Sequence, residues 1–225
     1  MTMSLAFDVY GTLIDTHGVV DALRDVVGDS APQFSHQWRE KQLEYSFRRG
    51  LMKDYVDFSV CTRQALNFTA VSRGQVLTEC QSIELMQVYS RLPAFDDVID
   101  CLNTAQSMGV RVFAFSNGSS KAVETLLEHA GIRHFFEGVV SVEGIQTFKP
   151  NPEVYHYFTQ TTSSLAKDCW LISSNPFDVL GALNTQWQAA WVQRNKQVQF
   201  DAWDINPTVT IDGLSSLYQA LREVN

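Results

Sequence analysis

The chain has 225 residues and a formal net charge of −8, with 45% hydrophobic and 19% charged residues. This balance is typical of a globular protein with a buried core, and it excludes a disordered chain. The acidic charge argues against a nucleic-acid partner, because phosphate backbones are bound through clustered Lys and Arg.

The first predicted element is a short apolar run at residues 4–9, which Asp8 interrupts and Gly11 follows. It predicts a buried strand that ends in a loop. Residues 18–90 differ, because their apolar residues recur at helical spacing. We expect about four helices there, forming a bundle of their own. Four residues punctuate this stretch: Gly28, Pro32, Gly50 and Gly74.

From Pro93 onward, helix and strand patterns alternate. Strands are predicted at 110–115, 139–142, 169–172, 189–192 and 209–211. Helices are predicted at 95–108, 120–130, 152–161, 177–184 and 214–223. This alternation implies a doubly wound α/β fold with a mostly parallel sheet covered on both faces. We therefore expect a Rossmann-like α/β domain of residues 1–14 and 94–225, with a helical domain inserted at 15–93.

The cysteines and the apolar runs indicate where the protein resides. The four cysteines form no C-x-x-C pair, and we expect buried free thiols in a reducing compartment. They are Cys61, Cys80, Cys101 and Cys169. We see no signal peptide and no apolar run of the roughly 18 residues that a membrane span needs. We expect a cytoplasmic protein with no membrane partner.

Polar groups follow four of the predicted strands. The segments are 8–13 (DVYGTL), 116–119 (SNGS), 148–150 (FKP) and 173–178 (SSNPFD). Ligands bind at the carboxyl ends of parallel strands, so these segments should converge on one crevice.

These four segments, in this order, resemble the four motifs of the haloacid dehalogenase superfamily, and the helical insert resembles its cap. D-x-Y-G-T-L is fairly specific, whereas a lone Ser-Asn or Lys-Pro is weak. The pattern is most similar to the L-2-haloacid dehalogenases. That resemblance implies hydrolysis of short L-2-haloalkanoates through an aspartyl ester, no cofactor, and a homodimer.

Asp8 is the expected nucleophile, because a carboxylate that forms an ester splits one difficult displacement into two easier steps. The alternative is a carboxylate that caps the following turn. Superfamily phosphatases carry a second Asp two residues later, where this chain has Tyr10. A phenol of pKa about 10 cannot replace that acid and base at neutral pH. The D-x-Y-G-T-L form resembles the dehalogenase branch, and this resemblance implies that no metal is used. Tyr10 is expected to contact substrate or simply to pack, and Thr12 to hold Asp8.

Ser116 and Lys149 are carried over as catalytic by the resemblance, and Ser116 and Asn117 as substrate contacts. A cation and a hydroxyl beside the nucleophile suit a substrate carboxylate and limit protonation of Asp8. Taken alone, Lys149 also fits a surface loop.

The last motif, S-x-N-x-x-D, supplies Ser173, Asn175 and Asp178 as catalytic residues by resemblance, with Phe177 as a substrate contact. Asp178 is expected to orient Lys149 or the hydrolytic water. The same residues also fit a helix start, with Asn175 as the N-cap. Tyr155 is marked as catalytic by the resemblance, although spacing alone favours core packing.

The helical insert contributes Arg39 and Leu43, within a segment (WREKQLEY) that strongly resembles the dehalogenase cap. There the matching Arg accepts the departing halide, a task that suits an always-charged, weakly hydrated guanidinium. A solvated helix Arg is the alternative. Two departures from the family pattern bear on halide preference and substrate size: Glu40 stands where the family often has Gln, and Phe177 where it often has Trp.

Two other functions stay open. One is a magnesium-dependent phosphatase of the same superfamily, against which Tyr10 and Asn175 argue. The other is a non-catalytic relative that binds a small anion. Asp8, Lys149 and Asp178 argue against it, because a binder has no use for a nucleophile.

Overall fold

The computed structural model describes residues 3–201 and 203–224. Residues 1–2, 202 and 225, which fall within the predicted α/β domain, lie outside the described residues. The described chain contains one six-stranded sheet in the order β3-β2-β1-β4-β5-β6, and each neighbouring pair is parallel. The strands are β1 (Ser4–Asp8), β2 (Arg111–Ser116), β3 (Gly138–Ser141), β4 (Cys169–Ser173), β5 (Gln188–Val192) and β6 (Val209–Ile211).

The central strand β1 is buried along its whole length, as expected for a strand covered on both faces. Leu5 and Phe7 pack into one hydrophobic cluster, and Ala6 packs into a second. Because successive side chains of a strand point to opposite faces, the sheet separates the two clusters. The predicted doubly wound α/β fold is confirmed.

The helices fall into two groups along the chain. Between β1 and β2 lie α1 (His17–Val27), α2 (Ala31–Met52), α3 (Phe58–Ser72), α4 (Glu79–Val88) and α5 (Val98–Met108). After β2 come α6 (Ser120–His129), α7 (Pro152–Thr162), α8 (Pro176–Asn184) and α9 (Leu217–Val224). Helices α1 to α4 pack on one another, and α5, α6 and α9 add apolar residues to the same cluster as Leu5.

Two helix boundaries differ from the sequence expectation. Gly50 was expected to interrupt the helices but lies inside α2, where its backbone faces Thr147 and Phe148. The fifth helix was predicted from residue 95 but begins at Val98. The reason is that the preceding residues pair with the segment after β1, since the Phe95 amide donates to the Leu13 carbonyl at 3.0 Å.

The strand order reverses at the centre of the sheet. From β1 the chain builds outward through β2 and β3, and it then returns to place β4 on the other side of β1. Such a reversal opens a crevice at the carboxyl ends of the two strands. Asp8 ends β1 and Ser173 ends β4, so both lie at this point.

The cysteine prediction holds for three residues and is wrong for one. Cys61, Cys101 and Cys169 are free and buried, whereas Cys80 is free but exposed in the first turn of α4. In the described ranges, no helix is long and apolar enough to cross a membrane.

Candidate active site

Both carboxylate oxygens of Asp8 contact neighbouring polar side chains. Lys149 Nζ lies 3.3 Å from Oδ1, while Thr12 Oγ1 and Asn175 Nδ2 donate to Oδ2 at 3.0 and 2.7 Å. Asp8 is 8% exposed, so it remains reachable from the crevice. The arrangement therefore presents an oriented carboxylate at the end of the central strand.

Lys149 is the cation of this site and is almost fully buried, at 1% exposure. Its ammonium donates to Asp178 Oδ2 at 2.7 Å and to the Phe115 carbonyl at 2.8 Å, besides its contact with Asp8. The group also lies 4.1 Å from the centre of the Phe115 ring. Two buried carboxylates thus share one ammonium group, and a surface-loop role for Lys149 is wrong.

Asp178 is fully buried in the first turn of α8. Burial raises its pKa to about 6, Lys149 opposes this shift, and the charge on Asp8 adds to it. Tyr155 donates its hydroxyl to Asp178 Oδ1 at 2.7 Å. Burial, followed by the negative charge of Asp178, raises the pKa of Tyr155 well above its ordinary value. The phenol therefore stays protonated and acts as a hydrogen-bond donor.

The turns after β2 and β4 use their own side chains to fix their shape. Ser116 Oγ accepts from the Gly118 amide and Ser173 Oγ accepts from the Asn175 amide, both at 3.1 Å. Asn117 Oδ1 accepts from the Lys149 amide at 2.9 Å, which ties the two loops together. These three side chains thus shape the backbone that carries Lys149 and Asn175.

Asn175 occupies the N-cap position of α8, but its side chain does not cap the helix. The amide Nδ2 instead donates to Asp8 Oδ2 and approaches the Tyr10 carbonyl at 3.4 Å. The helix-cap interpretation is therefore correct for the backbone position and wrong for the side chain.

Tyr10 borders a cavity of about 120 Å³ between the helices and the loop after β2. Burial raises the pKa of its phenol, and the positive charge of Arg39 opposes that shift. The same guanidinium acts on Tyr89, a second wall residue whose pKa burial raises to about 12. Arg39 is half-buried and donates to Gln42, another wall residue, so it lies close to this cavity rather than in open solvent.

One face of α2 is directed toward the site. Arg39, Leu43 and Phe47 are spaced four residues apart, which places them along one side of a helix. Phe47 meets Phe177 at a ring separation of 5.1 Å. The half-buried Leu43 lies between Arg39 and Phe47 on this face. Through Phe47, this face of α2 reaches Phe177, the residue that precedes Asp178.

Glu40, one of the two departures from the family pattern, lies on the surface. Its side chain is 64% exposed and lies 3.6 Å from His36. An exposed carboxylate interacts only weakly with other charges because water screens it. Its effect on the potential around Arg39 is therefore small.

Sequence reasoning missed several residues that support the site. Gln42 is buried, accepts from Arg39 Nη1 at 2.7 Å, and donates to Thr62 Oγ1 at 2.5 Å. Its position in WREKQLEY, next to the apolar stripe, was an available signal. Ser174 donates its backbone amide to Thr12 Oγ1 at 2.9 Å. The Phe115 backbone carbonyl could not be predicted as a partner of Lys149, because every residue has a backbone carbonyl.

Fold and site together are those of a hydrolase with a doubly wound, Rossmann-like core and a buried aspartate at the end of its central strand. A family model of haloacid dehalogenase-like hydrolases matches residues 2–184. The chain belongs to this family.

Two relatives and one solved structure show which proteins of this family the chain is similar to. The chain is 34% identical to an (S)-2-haloacid dehalogenase of Pseudomonas sp. (strain YL), over 86% of this chain and 84% of that protein. It is 32% identical to haloacetate dehalogenase H-2 of Moraxella sp. (strain B), over 95% of each. The L-2-haloacid dehalogenase of Xanthobacter autotrophicus, solved with chloropropionic acid covalently bound, superposes with a TM-score of 0.93 at 28% identity over 100% of each chain.

Proposed function

We propose that the chain is an (S)-2-haloacid dehalogenase that hydrolyses short L-2-haloalkanoates to D-2-hydroxy acids and halide. The observation that carries this proposal is the orientation of Asp8 by Lys149, Thr12 and Asn175. These contacts fix both oxygens of a carboxylate that faces the crevice. The covalently bound chloropropionic acid in the Xanthobacter relative supports the same chemistry.

In the first step, an Asp8 oxygen attacks the α-carbon from the side opposite the halogen. The new carbon–oxygen bond forms as the carbon–halogen bond breaks, and the halide leaves with the bonding electrons. This step produces an ester on Asp8 and inverts the α-carbon. Holding the carboxylate in line with the breaking bond supplies a large part of the rate.

The departing halide is received by Arg39 and Asn117. Arg39 is aimed by its hydrogen bond to Gln42, and Asn117 keeps its Nδ2 group for donation because its Oδ1 accepts from Lys149. Ser116 can donate its hydroxyl to the substrate carboxylate while its oxygen accepts from Gly118. Donors that are already oriented toward developing charge need no reorganisation during the reaction.

In the second step, water attacks the carbonyl carbon of the Asp8 ester. Asp178 accepts a proton from this water, a role that suits a carboxylate whose pKa burial raises to about 6. The ester carbon–oxygen bond breaks and the proton held by Asp178 passes to the departing hydroxy acid. The second proton of the water leaves to solvent, which regenerates the Asp8 carboxylate with one oxygen from water. Lys149 and Tyr155 keep Asp178 in place.

The proposed reaction needs no metal. In superfamily phosphatases, the nucleophile and the backbone two residues later help to hold magnesium. Here the Asn175 amide directs its N–H groups at the Asp8 carboxylate and the Tyr10 carbonyl. The amide thus supplies the positive partial charge that a cation provides elsewhere. Asn175→Asp is expected to gain magnesium binding by calorimetry, and equal binding by wild type would contradict this account.

We further propose that residues 15–93 form a cap domain on a core of 1–14 and 94–225. Helices α1 to α4 support this division because they pack on one another. The cap excludes water from the first step. A homodimer and a cytoplasmic location remain predictions.

The test is halide release from L- and D-2-chloropropionate in EDTA, by wild type and Asp8→Asn. We expect release from the L-isomer alone, and none from the variant. Mg²⁺-dependent hydrolysis of p-nitrophenyl phosphate without halide release would favour the phosphatase. Equal substrate binding by both proteins with no turnover would favour the anion-binding relative.

A further inference from the structure

Arg194 follows strand β5 and contacts the segment after Asp8, although it belongs to none of the four motifs. Its Nε and Nη2 donate to the Thr12 carbonyl at 3.0 and 2.6 Å. The side chain is 16% exposed, and its guanidinium lies 3.8 Å from the centre of the Phe95 ring. A planar guanidinium with several fixed donors suits such a multiple contact, whereas an ammonium group does not.

Asp97 fixes the guanidinium from the other side. Its carboxylate accepts from Nη2 at 3.0 Å and from Nη1 at 3.2 Å, and it also accepts from the Leu214 amide at 2.7 Å. Arg194 therefore has a partner for each of its three nitrogens. This bidentate pair is stronger and more directional than a single neutral hydrogen bond.

The residue that Arg194 holds is also the residue that holds the nucleophile. The Thr12 carbonyl accepts from Arg194, while the Thr12 hydroxyl donates to Asp8 Oδ2 at 3.0 Å. One residue thus connects the guanidinium to the carboxylate. A shift of the Thr12 backbone moves the hydroxyl and with it the direction in which Asp8 faces.

Arg194 also contacts the two chain segments that connect the sheet with helices α1 to α4. The Asp15 amide donates to the Pro93 carbonyl at 2.9 Å, and the Phe95 amide donates to the Leu13 carbonyl at 3.0 Å. Arg194 contacts one connection at Thr12 and the other at Phe95. It thus joins both connections to the end of β5.

We infer that Arg194 is a positioning residue that sets the attack geometry of Asp8 through the Thr12 carbonyl. The inference deepens the proposed function and rests on it, because the geometry in question is that of the displacement. The guanidinium bonds to the Thr12 carbonyl and to Asp97 rather than to a residue assigned to substrate binding, so its removal should lower kcat more than it changes KM.

Arg111 offers a matched control at the opposite end of the sheet. It pairs with both oxygens of Glu137, donates to the Thr162 carbonyl at 2.7 Å, and lies 4.9 Å from the centre of the Phe113 ring. Arg111→Met therefore removes the same kinds of contact at the start of β2, far from Asp8.

The experiment compares Arg194→Met, Arg194→Lys and Arg111→Met in L-2-chloropropionate turnover and in thermal unfolding. We expect Arg194→Met to lower kcat by about 10²-fold, the scale that a 1 Å misplacement costs, with a KM close to that of wild type. Arg194→Lys should recover part of this loss. Arg111→Met should lose similar thermal stability and keep kcat. Equal kcat values for Arg194→Met and Arg111→Met would overturn the inference.

Hydrogen exchange provides a readout that does not depend on the reaction. Arg194→Met should exchange faster than wild type in peptides covering 8–15 and 93–97, and Arg111→Met should not. Unchanged exchange in Arg194→Met would contradict the inference even if wild type released no halide. Absence of halide release by wild type would instead count against the proposed function. If Arg194→Met does not fold, Asp97→Asn takes its place in both measurements.

Discussion

Replacing Gly181 with alanine tests how tightly the surroundings of Asp178 are packed. Gly181 is buried within α8, and a Cβ there would lie 2.7 Å from Tyr155 Cζ and 2.8 Å from Pro150 Cβ. Real Cβ atoms essentially never approach other atoms so closely. The Tyr155 ring cannot move aside easily, because its centre lies 5.6 Å from that of Trp187.

The sign of the stability change separates two effects. A helix interior favours Ala over Gly by ~1 kcal/mol, so Gly181→Ala would stabilise the protein if there were space. Overpacking costs ~1–3 kcal/mol, and losing the hydrogen bond from Tyr155 to a charged Asp178 costs ~1.5–3 kcal/mol. The net expectation is a destabilisation of about 1.5–5 kcal/mol. Urea unfolding measures this difference.

The same substitution should slow one chemical step. In the proposed mechanism, displaced Tyr155 leaves Asp178 less well held during ester hydrolysis, while the first step is unaffected. Each 1.36 kcal/mol of lost stabilisation slows a step about tenfold. We therefore expect a rapid burst of halide equal to the enzyme present, followed by slow turnover.

Gly144→Ala is the matched control. Its Cβ would lie 2.7 Å from Tyr157 Cζ, but Gly144 is exposed and Tyr157 is only half-buried, so the ring can turn away. We expect a change within about 0.5 kcal/mol and normal turnover. The packing argument is refuted if Gly181→Ala gains stability and turns over normally.

Three further predictions concern the buried charges of the site and the orientation of Arg39. Lys149→Met should lower the free energy of unfolding by ~3–5 kcal/mol, because two buried carboxylates lose their cation, and an unchanged urea midpoint would contradict this. Turnover should decline as pH falls below about 6, because protonation of Asp178 removes the base. The decline should centre below that value, because the esterified Asp8 no longer carries the charge that raises the pKa of Asp178. A kcat profile with no loss of activity on the acidic side would count against that role. Gln42→Leu should keep the fold but release Arg39 and lower kcat about tenfold, or ~1.4 kcal/mol, measured as halide release; full activity would show that Arg39 needs no such support.

The sequence predicts the strands and the chemistry at their ends well, for a physical reason. Buried strands of a doubly wound sheet are short apolar runs. A charged residue that ends such a run, as Asp8 does, indicates a functional site, because burying a charge costs free energy. Because parallel strands end at one edge, Asp8, Lys149 and Asp178 were expected to meet, and they do.

Contacts that depend on three-dimensional packing were not predictable. Arg194 reaches Thr12 across the sheet, from a segment without a motif. Gly181 faces Tyr155 because α7 and α8 approach each other, which no local spacing encodes. Gly50 was misjudged because a glycine inside a helix and a glycine that ends one look alike in sequence.

A single turnover in water enriched in heavy oxygen tests the central claim, attack by Asp8, most directly. With enzyme in excess over L-2-chloropropionate, the hydroxy acid should carry ordinary oxygen at its new hydroxyl. The peptide containing Asp8 should gain one heavy oxygen, because water attacks the ester carbonyl. Heavy oxygen in the product of that first turnover, with none in the Asp8 peptide, would mean that water attacks the substrate directly and that Asp8 is not the nucleophile.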